Sequence, residues 1–319
     1  MANSMKVSVI LCTYNRCESL ANALASLDRS KVPESIQWEV LVVDNNSSDA
    51  TRSVVEEFSR RDPARFCYLF EPKQGKSHAL NAGIQAARGE ILAFTDDDVT
   101  VEPTWLQNLA SSLTKGDWVG AGGRTVPERT FLAPRWLARE DRYALGPLAM
   151  FDLGCEPSKL MEPPFGNNMA YRRAVFEKYG CFRTELGPRP GSEIRSEDTE
   201  FGQRLLSAGE SLRYEPSAVV YHAVPASRLQ KGYFLAWWFD KGRADFLEFG
   251  NPAETRWFVV GVPLYLFRRL AAWTLRWLVR VGPARRFYCR LQLNYLTGQV
   301  LEHFRRSHAP RQFPAPNGS

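Results

Sequence analysis

A chain of 319 residues is long enough to bury a full core, as one large α/β domain with an appendage or as two modest domains. Its six cysteines stand without a C-x-x-C pair, which argues against a zinc knuckle or a disulfide-stapled scaffold and for a reducing, cytoplasmic setting. The formal charge of +6 is unevenly placed: residues 223–319 carry 15 Lys and Arg against 5 Asp and Glu, a net +10, which leaves −4 on the first 222.

The first third alternates between strand-like and helix-like stretches. Lys6–Cys12 is a β-branched run of buried-strand type, and Glu18–Asp28 carries apolar residues at helical spacing. Trp38–Val43 is a second strand, followed by a helix over Ala50–Arg60 with Ser47, Ser48 or Asp49 as its cap. Phe66–Phe70, Lys76–Ala87 and Glu90–Phe94 continue the pattern as strand, helix and strand. Repeated βα units predict a mostly parallel, Rossmann-like sheet with its ligand crevice beyond the carboxyl ends of the strands. The first βα turn reads Thr13-Tyr14-Asn15-Arg16 and has no G-x-G-x-x-G, which argues against a dinucleotide fold.

Each of these strands ends in polar residues. The last ends in Asp96-Asp97-Asp98, three adjacent carboxylates that repel one another unless solvated or neutralised by a cation. A hard divalent ion, Mg²⁺ or Mn²⁺, is a natural neutraliser, since it takes carboxylate oxygens and leaves positions for phosphate; a solvated acidic turn is the plainer alternative. Asp44 ends the second strand, where it can accept from a base or a ribose hydroxyl, or else close an Asx turn in DNNSSD. Glu197-Asp198 precedes an apolar helical stretch and is either a helix cap or, beside a diphosphate site, a source of a general base. Gly166-Asn167-Asn168 offers a small turn and two amides suited to sugar hydroxyls, and His222 after SAVVY is either structural or a further metal ligand.

These segments (VSVILCTYNR at 7–16, EVLVVDNNSSDAT at 39–51, KQGKSHALNAGIQAARGEILAFTDDDV at 73–99, PFGNNMAYRRAVFEKYGCF at 164–182, SEDTEFGQRLLSAG at 196–209) resemble, in order and spacing, the family 2 glycosyltransferases of GT-A fold. The resemblance covers residues 5–222. It implies a nucleotide-diphosphate sugar donor contacted by Thr13, Tyr14, Asn15 and Asp44, with Lys76 near the base or diphosphate. It also implies metal binding by Asp96 and Asp98, Asp97 on ribose or metal, and His222 as an added metal ligand. Asp198 is the implied catalytic base, with Gly166, Asn167, Asn168 and Glu197 toward sugar or acceptor. The Q-x-x-R-W element of processive members is missing, so single-sugar transfer with inversion is expected. A nucleotidyltransferase and a catalytically inactive membrane adaptor are the competing readings.

Residues 1–222 are thus expected to form the GT-A domain, 223–306 a helical basic extension and 307–319 a flexible tail. No acidic residue occurs between Thr255 and Leu301. The apolar run 257–267 is too short to span a bilayer. A helix over Leu264–Val281 would gather Arg268, Arg269, Arg276 and Arg280 on one side, with Trp237, Trp238, Trp257, Trp273 and Trp277 as headgroup-seeking residues. The expectation is peripheral attachment to an anionic membrane, on the inner face of the cell membrane, with a lipid-linked or other glycan acceptor. Nucleic acid is not expected as a partner.

Overall fold

The computed structural model describes residues 5–128, 132–137, 142–190, 194–251 and 255–308. The chain divides into two compact units, residues 1–133 with 145–229, and residues 134–144 with 230–319.

The first unit opens with the expected βα alternation: β1 (Met5–Thr13), α1 (Cys17–Asp28), β2 (Ile36–Asp44), α2 (Thr51–Arg61), β3 (Phe66–Phe70), α3 (Lys76–Ala86) and β4 (Ile91–Asp96). These four strands are mutually parallel in the order β3-β2-β1-β4. Both faces of β1 are buried, which is why it reads as an unbroken apolar run. Val7, Val9 and Leu11 pack in one cluster with Leu20, Leu24 and Leu27 of α1, while Ile10 and Cys12 join Leu80 and Ile84 of α3 in another. The N-cap position of α2 is Ala50 rather than Ser47, Ser48 or Asp49, and no side chain caps it; Asp49, one residue earlier, accepts the Thr51 N–H at 3.0 Å.

Beyond β4 the simple alternation ends. β5 (Val99–Val101), α4 (Trp105–Ser112), β6 (Trp118–Pro127), β7 (Ser158–Leu160), β8 (Asn168–Arg172), α5 (Arg173–Tyr179), α6 (Glu197–Ser207) and β9 (Ser211–His222) complete this unit. β8 inserts antiparallel between β4 and β6, β6 and β9 are parallel, and β5 and β7 pair antiparallel with β9, giving nine strands in one mixed sheet among the described residues.

The second unit holds α7 (Lys231–Phe249), a hairpin of β10 (Phe258–Val259) and β11 (Val262–Pro263), α8 (Leu264–Val279) and α9 (Pro283–His308). α7 and α9 approach until their backbones touch: a methyl group on Gly298 would lie 2.1 Å from the Phe239 carbonyl oxygen. Tyr295 donates to Asp245 at 2.8 Å, and Arg243 pairs with Glu302 at 3.1 Å across the same two helices.

Three expectations shift. The boundary placed after His222 lies at Leu229, because a 3-10 turn over Ala226–Leu229 sends Arg228 back onto Asp98. Ser307 and His308, assigned to the tail, close α9; residues 309–319 lie outside the described residues. Of the five tryptophans expected at a headgroup zone, Trp238 is buried and packs against Tyr288 and Tyr295, and Trp237, Trp273 and Trp277 are half-buried, because apolar rings first fill the helix contacts; Trp257 alone of the five is exposed.

Candidate active site

Strand register gathers the expected residues at one edge of the sheet. Thr13 pairs with Asp44 and Cys12 with Asp96, so β1, β2 and β4 end side by side. β8 runs the other way, which sets its first residue, Asn168, beside Thr95 at that edge. The pairing of Val99 with His222 returns the end of β9 to the acidic triplet.

The two turns on the donor side are tied to each other. Asn15 adopts a left-handed backbone (φ 51°); its N–H donates to Ser47 Oγ at 2.9 Å and its Oδ1 accepts the Ser48 N–H at 2.8 Å. Asp44 closes the Asx turn through the Ser47 N–H at 2.9 Å, and its other oxygen accepts from the Tyr68 hydroxyl at 2.8 Å. Tyr14 is exposed beside them. Buried Asn45 donates to the carbonyls of Glu71 and Lys73 and accepts the Gly75 N–H at 2.7 Å, fixing the approach to α3.

The triplet fans out to three sets of partners. Asp97 is buried and accepts from Thr13 Oγ1 at 2.7 Å and from Arg16 at 3.1 Å. Burial pushes its carboxyl up to about 6 despite the pull of Arg16. Asp98 accepts from Arg16 at 3.2 Å and from Arg228 at 3.0 Å, and its other oxygen lies 3.6 Å from His222 Nε2. Burial opposes the charge on Asp98, but His222, Arg228 and Arg16 outweigh it and hold the carboxyl well below its usual range. Asp96 turns away, to Lys76 Nζ at 2.7 Å, and the same ammonium lies 3.6 Å from Glu197. Burial works against the ammonium, yet Asp96, Glu197 and Asp198 together raise it above the usual lysine range. Burial also pushes the Glu197 carboxyl up to about 7.

Lys76 therefore links the triplet to the start of α6, where Asp198 stands half-buried. Asp198 Oδ2 accepts the Gly166 N–H at 2.6 Å and Oδ1 accepts the Thr199 N–H at 2.7 Å. A side chain at position 166 would push this carboxylate aside, since a Cβ there would sit 2.9 Å from Asp198 Oδ2. Asn167 is buried, with Oδ1 accepting from Thr125 at 3.2 Å and Nδ2 lacking a protein partner. Asn168, expected near sugar, is instead committed to the fold: it accepts from Trp105 Nε1 at 2.8 Å and donates to the carbonyls of Arg124 and Ala218.

Two donors suited to a divalent ion converge. The Asp98 carboxylate and the buried His222 ring face each other, and His222 Nδ1 has no protein partner. A carboxylate and an imidazole supply part of a Mn²⁺ or Mg²⁺ shell and leave the remaining positions to diphosphate oxygens or water, so these residues fit such an ion. Asp96 does not join them, and no cluster of three His, Cys, Asp or Glu ligands forms among the described residues. Arg228 currently spans the pair, donating to His222 Nε2 at 2.9 Å as well as to Asp98. Sequence reasoning passed over Arg16, Tyr68 and Arg228. Arg16 directly follows the singled-out Thr13-Tyr14-Asn15, whereas nothing in the local sequence marks Arg228.

A family model described as glycosyl transferase family 2 matches residues 8–180. The succinoglycan biosynthesis protein ExoM of Rhizobium meliloti (strain 1021) is 30% identical over 238 residues, 73% of this chain and 71% of that protein. The glucosyl-dolichyl phosphate glucuronosyltransferase of Haloferax volcanii is 28% identical over 229 residues, 68% of this chain and 69% of the relative. Among solved structures, the mannosyltransferase PcManGT from Pyrobaculum calidifontis in complex with GDP-Man and Mn²⁺ aligns with a TM-score of 0.64 at 21% identity, covering 93% of this chain and 86% of that one, a likeness of GT-A fold. A glycosyltransferase sheet whose strand ends carry this acidic edge, matched in sequence from the first strand through α5, makes the chain a member of glycosyl transferase family 2.

Proposed function

We propose that the chain transfers a single sugar from a nucleoside-diphosphate donor to an acceptor hydroxyl, with inversion at the anomeric carbon. The observation that supports this reading best is the Lys76 bridge, which joins Asp96 of the strand edge to Glu197 and so sets the neighbouring Asp198 beside the donor end. Thr13, Tyr14 and Asp44 receive base and ribose, and Asp97, held by Thr13 and Arg16, shapes that pocket. Asp198, oriented by the N–H groups of Gly166 and Thr199, takes the proton of the attacking hydroxyl. The buried Glu197 and the unpartnered Asn167 Nδ2 face the sugar, and Asn168 acts as a positioning residue. A Mn²⁺ or Mg²⁺ ion held by Asp98 and His222 would offset charge on the departing diphosphate.

The acceptor is a lipid-linked or cell-surface glycan precursor, met on the inner face of the cell membrane. This is supported by the names of relatives concerned with succinoglycan biosynthesis and with glucosyl-dolichyl phosphate. Calorimetric titration with a panel of nucleotide sugars, first with Mn²⁺ and then with chelator, tests the donor reading. Metal-dependent binding of one nucleotide sugar, and release of its nucleoside diphosphate on adding acceptor, is the expected result. Pyrophosphate release from a nucleoside triphosphate would replace glycosyl transfer with nucleotidyl transfer, and failure of every donor to bind would overturn the reading.

A further inference from the structure

The second unit presents large apolar side chains that its own packing does not cover. Trp257, Val260, Leu275, Leu278, Val279 and Val281 leave 62–84% of their surface in solvent. Two adjoining elements carry them. The β10–β11 hairpin bears Trp257 at its base and Val260 at its tip, where Val260 and Gly261 make a turn with φ of 50° and 75°. The hairpin is anchored through Val262, which packs with Leu266 and Leu296, and it runs directly into α8.

α8 has three sectors. At about 100° per residue, Leu275, Leu278 and Val279 fall within about 100° of one another on the outward side. Leu266, Leu270, Trp273 and Trp277 occupy about 60° of the inward side, where Leu266 is buried and Leu270 and Trp273 pack against its cluster. Arg269, Arg276 and Arg280, all exposed, lie between the two, and Arg268, also exposed, stands on the outward side between Leu275 and Val279. Trp277, expected to seek the headgroup zone, thus lies on the packed side. Residues 255–301 contain eight arginines and no acidic residue.

We infer that the hairpin tip and the outward face of α8 together form a docking surface for an anionic lipid bilayer. Apolar side chains enter the acyl boundary while the flanking arginines meet lipid phosphates. Charge selects this occupant over a second copy of the chain, because a self-complementary interface would bring arginine rows together with no carboxylate in the segment to pair them. Depth is also consistent: no described helix is long and apolar enough to cross a membrane, so the contact is shallow. The inference deepens the membrane-facing part of the reading above and rests on it, but not on the identity of the donor.

Co-sedimentation of the purified full chain with vesicles of phosphatidylcholine, alone and mixed with phosphatidylglycerol, tests it. Binding at least tenfold stronger to the anionic vesicles and weakened by salt is expected. The double variant Trp257→Ser, Val260→Ser should lose binding tenfold or more while keeping its circular dichroism and its nucleotide-sugar affinity, since both side chains are exposed. Arg276→Glu with Arg280→Glu should abolish the preference for anionic lipid. Equal binding to both vesicle types, an unaffected hairpin variant, or a concentration-dependent dimer or an oligonucleotide complex in place of vesicle binding would overturn the inference. Loss of donor binding with vesicle binding intact would instead strike at the catalytic reading alone.

Discussion

Asp198 owes its place to two backbone N–H groups, one donating to each carboxylate oxygen. Asp198→Asn keeps the size and one of those two contacts, and removes the proton acceptor. Transfer should fall by about 10²–10⁴-fold while calorimetric donor affinity changes little; near-normal turnover would shift the base to another group. Arg228 holds Asp98 and His222 without a metal. An ion that takes those two ligands has to displace the guanidinium, so Arg228→Met should tighten Mn²⁺ binding measured without donor. Glu197 carries a pH signature. Its carboxyl, pushed by burial from an ordinary 4.5 to about 7, holds a proton in the folded chain that the unfolded chain has already released. Stability therefore falls as pH rises from about 4.5 and the loss is complete above about pH 7, on the order of 3 kcal/mol. Glu197→Gln should melt higher than wild type near pH 8 and match it near pH 4, as followed by thermal denaturation.

The strands and helices of residues 5–96 were readable from local pattern, and the observed limits differ from the expected ones by no more than two residues. Apolar runs covered on both faces and amphipathic turns between them leave a signal in any short window. The antiparallel insertion of β8 and the pairing of β5 with β9 left none, since both are contacts between segments far apart in the chain. Asn168 shows the consequence. In the sequence FGNN it resembles a sugar reader, yet its amide joins α4, β6 and β9 at the start of β8. Asn168→Ala would take the partner from the buried Trp105 N–H and one hydrogen bond from each of two carbonyls, so a loss of roughly 3 kcal/mol is expected in denaturant titrations. A variant as stable as wild type would free Asn168 for the ligand role.

For the whole molecule, ligand binding and folding are linked: donor at about 100 times its dissociation constant, in the presence of metal, should stabilise the chain by about 2.7 kcal/mol, seen as a rise in Tm of several degrees. Asp98→Ala should abolish the metal-dependent part of that rise. The same linkage separates a bound nucleotide sugar from a silent fold. The order of polar clusters along the chain was sufficient to place a candidate site at the strand ends and to locate the basic end, because periodicity, spacing and charge are properties of neighbouring residues. Which carboxylate answers to which cation could not be read that way. Adjacent members of the triplet point to Lys76, Arg16 and Arg228, residues 20, 81 and 130 positions distant, and only the folding of the sheet brings those charges within hydrogen-bonding reach. The outward face of α8 was decided in the same way: helical spacing grouped its arginines, but which apolar residues would be covered depended on where Leu296 of α9 and Val262 of β11 came to lie.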